Sequence, residues 1–139
     1  MLRRRSPSKT ALIRQVPLFS KLSAAKLKQV ASVADEIDLP PGKDLTREGQ
    51  TGREFFVLID GAAEVRKNGR RVNRLGAGDF LGEISLLTKQ PRTATVTTTE
   101  PTRALVITSR AFAQLLHDSP DVASGILDAV GQRLAGSLS

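Results

Sequence analysis

From residue 37 to residue 108 the chain runs in short segments where apolar and polar side chains alternate, cut by Gly, Pro and Asn at intervals of roughly eight to twelve residues. Successive side chains of a strand face opposite ways, so a block of this kind buries its apolar face only by laying one sheet on another. A mainly β fold is predicted, a β-sandwich or jelly-roll barrel over 37–108. The strongest strand is 55–59. Ala62–Lys67 is joined to 70–75 through Asn68-Gly69, a dipeptide that accepts positive φ at both centres of a type I′ turn, which predicts a hairpin. Segments 94–99 and 103–108 are rich in β-branched residues and divided by Glu100-Pro101, giving two further strands.

Helical spacing flanks this block. Ser23 is placed to cap a helix over 23–34 carrying Leu27, Val30, Ala31 and Ala34 on one side, after an apolar anchor of Leu18, Phe19 and Leu22. Beyond the strands, Ser109 is expected to cap a helix over 109–117 with Phe112, Leu115 and Leu116 inward, and His117 falls in its last turn. Pro120 opens a second helix over 120–137, whose apolar side would hold Val122, Ile126, Leu127, Val130 and Leu134. Gly125, Gly131 and Gly136 weaken it, each by about 1 kcal/mol against alanine, so its order is expected to depend on docking or on a partner. The architecture expected is a β jelly-roll barrel with an N-terminal helix and two C-terminal helices, a single domain over 11–139 preceded by a disordered basic arm over 1–10.

Composition narrows the chemistry. The 139 residues contain no cysteine and one histidine, which excludes disulfide frameworks, thiolate nucleophiles and multi-histidine metal sites. No pairing of nucleophile and base stands out, so no catalytic residue and no cofactor is assigned, and an enzyme is not expected. The formal charge of +7 is a local property: residues 1–34 hold eight basic side chains and no acid, leaving 13 basic against 14 acidic in the remainder. No run of about 18 apolar residues is present to span a bilayer, and the opening lacks the apolar stretch of a secretory leader, so the expected location is the cytoplasm.

The informative stretch is GDFLGEISLLTKQPRTATV, residues 78–96, where a plain hairpin would need only a few residues. Gly82 permits close backbone approach, and 84–87 suits one helical turn whose first N–H groups would face an anion. Nine residues after Glu83 stands Arg92, fixed behind Pro91, a permanent cation whose planar fork matches two phosphate oxygens. Ionised Glu83 accepts hydrogen bonds only, so it suits a hydroxyl near that phosphate. A sugar hydroxyl beside a phosphate describes a nucleotide.

With those residues in place the sequence resembles the cyclic nucleotide-binding domains of cAMP receptor proteins, kinase regulatory subunits and gated channels. The phosphate-binding cassette of that family reads approximately FGE, two or three apolar or small residues, a variable turn, then PR followed by Ala, Thr or Ser and Ala. Here it stands as Leu81-Gly82-Glu83-Ile84-Ser85-Leu86-Leu87 and Pro91-Arg92-Thr93-Ala94, while 48–61 resembles the family's first glycine-bracketed strand pair. The resemblance implies that Glu83 holds the ribose 2′-hydroxyl and Arg92 the cyclic phosphate. By the same likeness Gly82, Ile84 and Ser85 line the phosphate pocket, Thr93 sits against phosphate or purine, and Val65 and Val72 face the base. Leu81 stands where an aromatic is frequent and is a lesser pocket candidate. No aromatic in the last helix is available to stack on the purine, leaving Leu127, Val130, Arg133 or Leu134 as lid candidates. A hydroxyl after the cassette arginine is similar to cGMP-selective members and to some bacterial cAMP receptors alike; cAMP is favoured, with cGMP as the other ligand.

The function this implies is a regulatory module that binds a cyclic mononucleotide and couples occupancy to movement of its C-terminal helices. A homodimer or an effector protein is expected to use the C-terminal helix, and nucleic acid is not an expected partner. The competing reading is a structural or interaction domain whose cassette binds nothing and whose basic N-terminal arm engages an acidic partner.

Overall fold

The computed structural model describes residues 8–16, 19–20, 22–82 and 89–138, and for 129, 130 and 132–138 the backbone alone. Among the described residues, helices α1 (Lys9–Gln15) and α2 (Ala24–Val33) precede eight strands, and α3 (Ser109–Asp118) and α4 (Pro120–Leu138) follow them. The strands are β1 (Asp35–Leu39), β2 (Asp44–Thr46), β3 (Glu54–Asp60), β4 (Ala62–Lys67), β5 (Arg70–Gly76), β6 (Phe80–Leu81), β7 (Thr95–Thr98) and β8 (Thr102–Thr108). They form two four-stranded antiparallel sheets, ordered β1-β8-β3-β6 and β2-β7-β4-β5. The jelly roll expected from the sequence is present, as a sandwich of two sheets that do not close into a barrel.

The core lies in two layers that share the first sheet. Phe55 and Val57 of β3, with Leu105 and Ile107 of β8, face the helices and pack with Ile13, Leu27, Val30, Phe112, Leu115, Val122 and Ile126. Their alternate neighbours, Phe56, Leu58, Ala104 and Val106, face the second sheet and meet Ala63, Leu75, Leu81 and Val96. That double cover explains why 55–58 and 104–107 are unbroken apolar runs, as in a sheet packed on both faces. Phe55 ties the layers to the helices, its ring 4.7 Å from that of Phe112 and 5.7 Å from that of Phe80.

Local signals were followed where they were self-contained. Asn68 and Gly69 have φ of 52° and 77°, the left-handed pair that the hairpin requires. Ser23 caps α2 by accepting from the Lys26 N–H at 3.3 Å. The cap of α3 is Thr108 in place of Ser109, its hydroxyl accepting from the Ala111 N–H. A helix also starts at Lys9, inside the span assigned to the basic arm; residues 1–7 of that arm lie outside the described residues. Ser8 caps it, and Lys9 Nζ donates to the carbonyls of Ala31 at 3.2 Å and Ala34 at 2.8 Å, closing the C-terminal end of α2. In α4, Val122 and Ile126 are buried as expected, but Leu127 is 64% exposed.

Candidate functional site

The site is organised around Arg92, which lies in the chain between β6 and β7. Its neighbour Pro91 supplies no N–H, and the main chain of Arg92 is held by the loop between β2 and β3: the Arg92 N–H donates to the Gln50 carbonyl and the Gly49 N–H to the Arg92 carbonyl, both at 2.8 Å. Arg92 as a whole residue is 7% exposed. Its Nη1 donates to the Gly82 carbonyl at 2.9 Å and its Nη2 to the Glu54 carbonyl at 2.5 Å. Two backbone oxygens on different elements therefore set the plane of the fork, and a fixed planar cation is what bidentate recognition of phosphate requires.

Gly82 makes this grip possible. Its φ is +96°, and a Cβ there would lie 2.6 Å from Arg92 Nη1 and 2.7 Å from the Glu54 carbonyl oxygen. The two ends of the predicted cassette, ten residues apart in sequence, are thus brought into contact. Glu83, Ile84 and Ser85 lie outside the described residues. Thr93 is exposed beside Arg92. Val65 is half-buried against the inter-sheet core, and Val72, on the same hairpin, is 54% exposed. Leu81, 5% exposed and paired with Phe56, belongs to the inter-sheet core and acts in packing.

Beside Arg92 a cavity of about 260 Å³ is walled by Asp44, Thr46, Arg47, Arg53, Glu54 and Arg92. Asp44 accepts from the Thr97 hydroxyl at 2.6 Å and from Arg47 Nε at 3.1 Å. The Thr97 bond, and less strongly Arg47, hold its carboxyl below the ordinary aspartate range against the opposing effect of burial. The part of this assembly that the side chains did not announce is the main chain of 49–54. Arg92 uses its carbonyls and one N–H, groups every residue carries, and the only trace in the sequence was the glycine-bracketed run 48–61.

A family model described as the cyclic nucleotide-binding domain matches residues 36–119, a span that contains both ends of the cassette and the loop that grips Arg92. The chain belongs to the cyclic nucleotide-binding domain family. Among its relatives, a cAMP-dependent protein kinase regulatory subunit of Mycosarcoma maydis is 36% identical over 110 residues, covering 73% of this chain and 21% of that protein. A cyclic nucleotide-gated potassium channel of Rhizobium etli is 32% identical over 125 residues, covering 90% of this chain and 35% of the channel. The chain thus spans about a fifth to a third of the length of these relatives. Among solved structures, the catabolite activator protein of Thermus thermophilus superposes with a TM-score of 0.79 at 25% identity, over 87% of this chain and 59% of that one. The relatives are regulatory subunits and channels, in agreement with a regulatory binding domain. No helix among the described residues is long and apolar enough to cross a membrane.

Proposed function

We propose that this domain is a cytoplasmic sensor that binds cAMP in preference to cGMP, and that occupancy repositions its C-terminal helices. The observation that carries the reading is the guanidinium of buried Arg92, oriented by the Gly82 and Glu54 carbonyls at the closed neck of the cassette. A cyclic phosphate carries one negative charge, and a buried arginine meets it in a medium where the attraction is poorly screened. By likeness to the family, Glu83 accepts from the ribose 2′-hydroxyl, the backbone of Gly82, Ile84 and Ser85 surrounds the phosphate, and Thr93 donates to phosphate or purine. Val65 and Val72 supply the apolar surface for the base. Val72 and Leu127 are the two large hydrophobic residues most exposed among those described, as expected of groups that a purine would cover, Val72 from the hairpin and Leu127 from the closing helix. The preference for cAMP draws on the kinase regulatory subunit of Mycosarcoma maydis, described as cAMP-dependent.

Calorimetric titration with cAMP and with cGMP tests the reading. The expected result is saturable one-to-one binding, tighter for cAMP, with Arg92→Ala weakening it by about a hundredfold or more, in line with loss of a charge-assisted bidentate contact. Glu83→Gln should weaken it by about tenfold while leaving thermal stability in place. No heat and no thermal stabilisation with either nucleotide would show a cassette kept for structure alone.

A further inference from the structure

The tip of the hairpin formed by β4 and β5 has no core beneath it. Residues 66–74 are exposed throughout, so burial does not fix where the tip lies and a few hydrogen bonds decide it. The ladder between β4 and β7 ends at Arg66, opposite Thr95, which leaves 67–70 projecting past that strand. Within the projection the turn closes through Lys67 and Arg70, and a two-residue turn of this type makes no use of the N–H of its first central residue, Asn68. Glu48 takes it: the Asn68 N–H donates to Glu48 Oε1 at 3.1 Å, across 20 residues of sequence. Lys67 directly opposite Arg70 is a like-charge pair that opposes closure of the turn, and a carboxylate bound to that same turn offsets it.

Glu48 is equally tied to the phosphate side of the site. Its own N–H donates to the Thr95 hydroxyl at 3.0 Å, and the next two residues hold the main chain of Arg92 through the Gly49 N–H and the Gln50 carbonyl, both at 2.8 Å. The Thr46 hydroxyl adds a bond to the Ala94 carbonyl at 3.0 Å. Segment 46–50 is therefore zipped along 92–95, and the side chain of Glu48 carries that bracket across to the hairpin. The sensor reading puts Val65 and Val72 of this hairpin against the base and Arg92 against the phosphate, so Glu48 joins the two ends of one ligand site. We propose, resting on that reading, that Glu48 is a positioning residue, which acts through the hairpin and holds it at the span from Arg92 that a purine nucleotide requires. Its side chain serves the base end alone, because the bonds that hold the main chain at 92–95 come from main-chain groups and threonine hydroxyls, which a change of the Glu48 side chain leaves in place.

Displacement of a fluorescent cAMP analogue from the full chain by cAMP and by cUMP tests this, since the two share ribose and cyclic phosphate and differ in the area of the base. Glu48→Ala should weaken cAMP about tenfold and cUMP about twofold or less, so that the preference for a purine narrows. Glu48→Gln keeps an acceptor for the Asn68 N–H and should bind both within about threefold of the native chain. Protection of the Asn68 amide against exchange, followed by NMR on the ligand-free chain, should fall in Glu48→Ala and persist in Glu48→Gln. A general loosening of the fold or of Arg92 would weaken both nucleotides by the same factor, and that result overturns the proposal. So would a Glu48→Ala variant that binds like the native chain, or a glutamine variant as weak as the alanine one. A native chain that binds neither the analogue nor cAMP would end the sensor reading and this inference with it, whereas native binding that Glu48→Ala leaves unaltered removes Glu48 alone. Glu48 is exposed, so both variants should fold, with melting temperatures within about 2 °C of the native chain.

Discussion

A side chain on Gly82 would collide with both halves of the Arg92 grip, and its φ of +96° is one that L residues rarely adopt. Gly42 shares the backbone feature, at +81°, but has nothing within 4 Å of a Cβ. The pair separates strain from contact. Gly42→Ala should cost about 1 kcal/mol and leave nucleotide affinity alone, whereas Gly82→Ala should cost about 2–3 kcal/mol and weaken nucleotide binding by displacing the guanidinium. Thermal unfolding and titration of both variants check this, and equal effects on affinity would remove Gly82 from the site. Asp44 gives a pH prediction. Its carboxyl is held below the ordinary value of 3.8 by the Thr97 hydroxyl, so it contributes stability that is fully present above that value and is lost as pH falls through the lower folded value. The gap in melting temperature between the native chain and Asp44→Asn should be constant from about pH 7 down to about pH 5 and close in strong acid. A gap that does not narrow in acid would show that the Thr97 bond does not depend on the ionised carboxylate.

At the scale of elements, the junction between α3 and α4 is tied to α2 by a small polar network. Ser119 is fully buried, its hydroxyl donates to Gln29 Oε1 at 3.2 Å, and Lys26 Nζ donates to the Asp118 carbonyl at 3.3 Å. Ser119→Ala leaves Gln29 without that donor, so it should cost about 1–2 kcal/mol and lower the melting temperature by about 4 °C; a variant as stable as the native chain would show the network to be incidental. Ties of this sort also mark where sequence reading stops. The Asn68-Gly69 hairpin and the Ser23 cap were legible because a few adjacent residues decide them. Helix α1 was not, because seven residues rarely hold a helix alone and its anchor is Lys9 on carbonyls 22 and 25 residues away. The same limit applies to the site. Gly82 and Arg92 were legible as residue types at a spacing, while the Glu54 carbonyl that orients Arg92 is a main-chain group placed by the fold. Leu127 was assigned inward on helical period alone, and its exposure reflects that α4 has buried neighbours only around Val122 and Ile126 in its described part.

Across the whole molecule, the segment that receives Arg92 also carries the helices. The Glu54 carbonyl binds the guanidinium, the next residue, Phe55, stacks on Phe112 of α3, and the Arg53 carbonyl accepts from the N–H of Ser109 at the start of that helix. A phosphate that pulled on Arg92 would therefore act on β3 at the point where α3 is fixed, and α3 leads through Ser119 into α4. Only a ligand that binds two arrangements with different affinity shifts their populations. Hydrogen exchange reads such a shift directly. Saturating cAMP should raise protection across 120–138, where glycines at 125, 131 and 136 leave the helix easy to open. Phe112→Leu, which keeps the helix apolar but removes the ring stack, should retain most of the nucleotide affinity while reducing that protection by about half or more. Protection unchanged by cAMP in the native chain would end the coupling idea and leave a binding domain whose helices are fixed. A Phe112→Leu variant that transmits fully would keep the coupling and move its route away from Phe55, to the Arg53 to Ser109 hydrogen bond.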